Sequence, residues 1–158
     1  MLVQMVSRHI LAVVQSDLQL ICLLRRVLEE NGFSSLTIAR NSEEAILYLR
    51  GVGIYQDRSR YPVPAVVILD SHNPEGVDLE VLAWLREKTA FNALPVIFLC
   101  SEAHTMVHVG CALDPASFIV DRDNFADLID SLRTLLVIPS LPHGFVNGLS
   151  PDSLRARG

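Results

Sequence analysis

Cysteine is scarce in this chain: Cys22, Cys100 and Cys111 are the only three among 158 residues, and no two of them form a CxxC pair. An odd and widely spaced set supports neither a disulfide framework nor a zinc ribbon, so the thiols read as reduced side chains in apolar settings. Cations are also few, with 13 Lys and Arg against 18 Asp and Glu and a formal net charge of −5. Binding to phosphate backbones needs clustered positive charge, and the one small basic cluster runs from Arg155 to Arg157, so a general nucleic-acid surface is excluded. No apolar run reaches the roughly 18 residues needed to span a bilayer. The start MLVQMVSRHI lacks the order of a secretory signal, and a cytoplasmic, membrane-free protein is expected. Catalytic motifs are missing too. The GVG of Gly51 to Gly53 follows a helical pattern rather than a strand, the wrong context for a dinucleotide loop, and no GxSxG elbow occurs. An independent enzyme is not expected.

What is present is the alternation of an α/β domain. The length suits one domain, able to bury roughly 68–70% of the surface its unfolded form exposes. His9 to Val14 reads as a buried first strand. Leu20, Leu23, Leu24, Val27 and Leu28 then recur at helical spacing, between Asp17 as N-cap and Gly32 as C′ residue. Leu36 to Ala39 is a second strand, and Asn41-Ser-Glu-Glu44 places a capping box ahead of a helix that stops at Gly51. Gly51 to Pro64 is a loop. Its Tyr55, Tyr61, Arg58 and Arg60, with Tyr48, form either a binding patch or, more simply, a loop packed on its own domain.

Ala65 to Asp70 is the third strand, Asp78 is placed to cap a helix carrying Leu79, Leu82 and Leu85, and Val96 to Cys100 is the fourth strand. Ala103 to Leu113 is a weaker helix. His104, His108 and Cys111 share one of its faces at i, i+4 and i+7, which reads as surface histidines rather than a metal site lacking its fourth ligand. Phe118 to Val120 is a fifth strand, followed by a last amphipathic helix through Leu136. Five strands alternating with five helices imply a doubly wound parallel sheet with helices on both faces. The domain is expected over residues 1–138, with an irregular tail over 139–158.

Asp70 closes the run Ala65-Val-Val-Ile-Leu69 and is followed by Ser71-His-Asn-Pro74, so one carboxylate is presented at the mouth of a buried strand. Crevices beyond strand carboxyl ends are where open α/β sheets bind ligands. With ILAVV before the first helix, VVILD-x-x-x-P, LPVIFLCSEA and ASFIVDR in this order, the chain resembles a response-regulator receiver domain from about His9 to Val137. The stretch LYLRGVGIYQDRSRYPVPAVVILD is further similar to single-domain receivers associated with phytochrome-type histidine kinases. The resemblance implies a flavodoxin-like receiver fold with Asp70 as phosphoacceptor.

Several family positions are altered. The acidic pair that holds Mg²⁺ in such domains falls on Gln15 and Ser16, neither of them charged, which leaves Asp17, Asp70 and the His72 carbonyl as weak metal candidates. The hydroxyl switch position is Cys100, with Ser101 beside it, and the aromatic switch position is kept as Phe118. The lysine that pairs with the acceptor falls on Asp121, followed by Arg122. A carboxylate there would face Asp70, and the two would share a proton if their side chains converge; otherwise Asp70 is satisfied by backbone donors or by Arg122. Phosphoryl transfer depends on neutralising charge, so the resemblance as altered implies a pseudo-receiver with no Mg²⁺ and with phosphorylation impaired or absent. It would act as an interaction module for a histidine kinase or another signalling protein, and as a homodimer through the Ala103 to Leu113 helix, the fifth strand and the last helix, with Val107, Val109 and Phe118 as apolar contacts. The alternatives are a working phosphoacceptor that uses Mg²⁺ in a phosphorelay, and a purely structural dimerisation subunit.

Overall fold

Apolar runs of four or five residues build the sheet: β1 (Ile10–Val13), β3 (Val66–Asp70) and β4 (Val96–Cys100) are buried at every position except Asp70. Such runs belong to strands covered on both faces. The outer strands, β2 (Leu36–Ala39) and β5 (Ser117–Asp121), are only partly buried. All pairings are parallel and the order is β2-β1-β3-β4-β5. The computed structural model describes residues 8–15, 17–70, 77–100 and 117–136. Four α-helices lie among them: α1 (Leu18–Glu30), α2 (Ser42–Arg50), α3 (Val77–Glu87) and α4 (Phe125–Leu136). The predicted helix of residues 103–113 and the predicted tail lie outside the described residues.

Strand alternation splits the core into two layers. Ile10, Ala12, Val14, Val66, Ile68, Ile97, Leu99 and Val120 pack under α1 and α4. Leu11, Val13, Val67, Leu69, Val96, Phe98 and Cys100 pack under α2 and α3. The doubly wound arrangement expected from the sequence is therefore present, and it rests on a period of two in five short strands.

Helix ends follow the local signals with one correction. Asp17 caps α1 by accepting from the Leu20 N–H at 3.0 Å. At the other end Gly32 adopts φ +89°, Phe33 N–H donates to the Leu28 carbonyl at 2.8 Å and Gly32 N–H to Glu29 at 3.1 Å, a Schellman closure whose apolar clasp is Leu28 with Phe33 in the core. Asn41 accepts from Glu44 N–H at 2.7 Å while the Glu44 carboxylate takes the Arg40 N–H, so the predicted capping box forms with its return bond one residue early. Asp78 is not a cap. It lies inside the first turn of α3, because that helix starts at Val77.

The Gly51 to Pro64 loop packs on its own domain, with a short 3₁₀ turn at Gly53–Tyr55. Arg58 holds it: its guanidinium donates to the carbonyls of Tyr48 at 2.9 Å, Leu49 at 2.8 Å and Tyr61 at 3.1 Å, placing a cation on the open carbonyl end of α2. Tyr48, 1% exposed, lies at ring contact with both Tyr55 and Tyr61. Its hydroxyl donates to the Pro62 carbonyl at 2.8 Å and meets His9 Nε2 at 2.9 Å. His9, 5% exposed, also bonds Ser35 and Thr37 across β2, and burial pulls its pKa below the usual value, so the ring is held neutral.

Candidate functional site

In this strand order the winding reverses between β1 and β3, and doubly wound folds bind ligands in the crevice beyond those two strand ends. Asp17 stands four residues past the end of β1, and Asp70 is the last residue of β3. Asp70 shares the strand parity of Val66 and Ile68, so it belongs to the face covered by α1 and α4. Its side chain is 5% exposed. A carboxylate that deep in the fold demands a partner.

Arg122 supplies a cationic one. Its backbone N–H donates to the Cys100 carbonyl at 3.0 Å, one step beyond the last β4·β5 pair, which ties the residue to the sheet edge above the crevice. From there its Nη2 donates to Asp17 Oδ2 at 3.0 Å and to Asp70 Oδ2 at 3.2 Å. One nitrogen thus bridges the two carboxylates. The Asp17 carboxylate serves twice, since its other oxygen caps α1. The Arg122 side chain is largely covered, at 15% exposure. Beside it a cleft of about 340 Å³, lined by Asp17, Leu20, Leu23, Arg122, Asp123 and Phe125 among others, separates α1 from the start of α4.

Asp121 takes a different place from the one its sequence position suggests. It has the parity of Ile119, which packs on the α2 and α3 layer, whereas Arg122 has that of Val120 on the α1 and α4 layer. Its carboxylate is exposed and accepts from Asp123 N–H at 2.9 Å in the turn that leads to α4. The pairing of two carboxylates with a shared proton is therefore corrected: alternation sends Asp121 outward and brings a cation to Asp70. The missing lysine is not supplied from elsewhere. The chain's one lysine, Lys88, follows α3 with its ammonium 5.4 Å from the Trp84 ring.

Of the other predicted positions, Gln15 is exposed just past β1. Cys100 is fully buried in the layer under α2 and α3, and Phe118 lies on edge strand β5 at 37% exposure. Ser16, His72 and Ser101 lie outside the described residues, as do His104, His108 and Cys111. The receiver resemblance implies a Mg²⁺ ion here, and the donors among the described residues do not fit it. Hard cations gather several oxygen ligands; Gln15 brings no charge, and both carboxylates already face a guanidinium. Among the described residues no cluster of three or more His, Cys, Asp or Glu is placed to hold a metal. Arg122 was legible only as one possible partner of Asp70. Its simultaneous hold on Asp17, 105 positions away in the chain, was not.

No protein-family model matches the chain. No curated protein matches it significantly in sequence. Solved structures do. The bacteriophytochrome response regulator AtBRR is 26% identical, with a TM-score of 0.64 over 85% of this chain and 97% of its own. The Mn²⁺-bound form of the response regulator Rcp1 is 22% identical, with a TM-score of 0.62 over 85% of this chain and 99% of its own. The phosphorylated cyanobacterial phytochrome response regulator RcpA is 21% identical, with a TM-score of 0.63 over 85% and 98%. With its strand order, its strand-end aspartate and these neighbours, the chain has the receiver-domain fold of response regulators, phytochrome-associated regulators among them.

Proposed function

We propose that this protein is an atypical receiver that works as a signalling interaction module in the cytoplasm, with phosphoryl transfer to Asp70 impaired. The observation that supports this most is the Arg122 bridge to Asp17 and Asp70. An attacking carboxylate must approach phosphorus in line, with its charge and that of the phosphoryl oxygens neutralised by groups free to follow the reaction. Here the Arg122 guanidinium is committed to two carboxylates in the ground state, and the side chain at the position of the usual lysine, Asp121, turns to the Asp123 N–H. Incubation with acetyl phosphate and Mg²⁺ followed by intact-mass measurement tests the reading. The expected result is little or no gain of a phosphoryl mass, and stoichiometric gain that is lost in Asp70→Asn would establish the alternative, a working phosphoacceptor of the kind the phosphorylated RcpA structure represents.

An interaction module acts through its surfaces. Edge strand β5 leaves Phe118 37% exposed, and we propose that it joins α4 in the contact with a second copy of the chain, while a histidine kinase or another signalling protein is the upstream partner. Val107 and Val109, the other apolar residues assigned to this face, lie outside the described residues. Sedimentation at micromolar concentration should show a dimer that survives Asp70→Ala and weakens in Phe118→Glu. A monomer throughout, or a dimer lost in Asp70→Ala, removes the proposal.

A further inference from the structure

We infer that Arg122 is the resident cation of this crevice, a guanidinium tethered where a receiver would gather a divalent ion, and that it excludes such an ion for as long as it bridges Asp17 and Asp70. The inference rests on the receiver reading of the crevice and is independent of whether Asp70 accepts phosphate.

Three observations converge on it. The first is the geometry of the bridge, in which a single nitrogen, Nη2, spends one N–H on the carboxylate after β1 and the other on the carboxylate that ends β3. Joining those two strand ends through carboxylate oxygens is the task a hard cation would have in this place. The second is the tether. The Arg122 N–H to Cys100 carbonyl bond fixes the backbone at the end of β5, so the guanidinium competes as an intramolecular ligand whose effective concentration a free ion must overcome. The third is the chemistry of the two competitors. A guanidinium stays protonated throughout the range in which proteins fold, whereas Mg²⁺ gives up its water reluctantly and finds a neutral Gln15 where a charged oxygen ligand is wanted. A bound ion would also have to sit against a fixed positive charge in a poorly hydrated site, where repulsion is weakly screened. The crevice therefore holds a permanent cation, and its conformation is uncoupled from divalent ions. It follows that the carboxylate pair is a latent metal site. Taking the arginine away uncovers it.

Mn²⁺ is the probe, followed by the loss of the free-ion electron paramagnetic resonance signal in the full chain, with circular dichroism to establish folding. Wild type is expected to show no saturable binding at millimolar Mn²⁺, and its melting temperature is expected to stay unchanged on adding Mg²⁺. Arg122→Gln is expected to bind Mn²⁺ saturably and at least roughly tenfold more tightly than wild type. That site should vanish in the double variants with Asp70→Asn or Asp17→Asn. Saturable binding to wild type that is lost in Asp70→Asn, or a folded Arg122→Gln that binds no better than wild type, overturns the inference. Should Arg122→Gln not fold, Arg122→Met carries the same test, since it keeps an apolar stem of similar length and removes the charge. Binding above wild type supports the inference there too, and none overturns it.

Discussion

Arg122→Ala is expected to lower the unfolding free energy by about 3 kcal/mol, the range seen when one member of a buried ion pair is removed and the other is left behind. The magnitude follows from burial. Asp70 is 5% exposed on its side chain, so removing the guanidinium takes the counter-charge from a buried carboxylate, while Asp17 is 32% exposed and keeps access to water and its capping bond to Leu20. Asp70 therefore carries most of the loss. Adding Asp70→Asn to Arg122→Ala should recover a large part of the stability, because a buried charge that has lost its counter-cation is the costly element rather than the absence of the bridge. Urea denaturation of the two single variants and the double variant measures the coupling directly. A loss below about 0.5 kcal/mol, the ordinary scatter of surface substitutions, would show that the bridge has no energetic weight.

Arg58→Ala is expected to cost about 2 kcal/mol and, more visibly, to release the loop between α2 and β3. Three carbonyls lose a charged donor at once, those of Tyr48, Leu49 and Tyr61, and bonds to charged groups are worth roughly 1.5–3 kcal/mol each before water replaces them. Two of the three belong to the last turns of α2, where the helix dipole favours a cation. The guanidinium also lies 5.8 Å from the Tyr48 ring centroid, so the packing of the tyrosines depends on it as well. Arg58→Lys should restore less than half of the loss, since an ammonium cannot serve three divergent acceptors from one planar fork. Trypsin cleavage after Arg60 is the local readout: it should be much faster in Arg58→Ala than in wild type, and an unchanged rate would mean that the loop is held by its tyrosines alone.

These effects sit at opposite ends of the sheet and have a common origin. In both, an arginine from a segment without regular structure closes a set of acceptors that helices and strands leave open. A lysine does neither job equally, which is why the altered Lys position at Asp121 is a poor guide to this crevice.

The order of strands and helices could be read directly from the sequence, because each element carries its own local signal. Apolar runs of four or five residues mark strands buried on both faces, the Leu20 to Leu28 stripe marks α1, and Asp17, Gly32 and Asn41 mark helix ends through bonds made within a few residues. Where the local signal was ambiguous the reading slipped by a residue, as at Asp78, since a carboxylate suits both the cap and the first turn. Asp70 was legible for the same reason: a single carboxylate closing an apolar strand has few other places to be. The charge around it was not. Asp121 and Arg122 are neighbours in sequence, and only the pleat of β5, with the bond from Arg122 N–H to Cys100, decides that the first faces solvent and the second reaches across to Asp70. The sequence by itself determined the fold and the strand-end place of Asp70, through local hydrophobic period and capping. Which cation meets that carboxylate was decided by tertiary structure alone, because three residues from the ends of β1, β3 and β5 meet only once parallel crossovers have brought those ends to one side of the sheet.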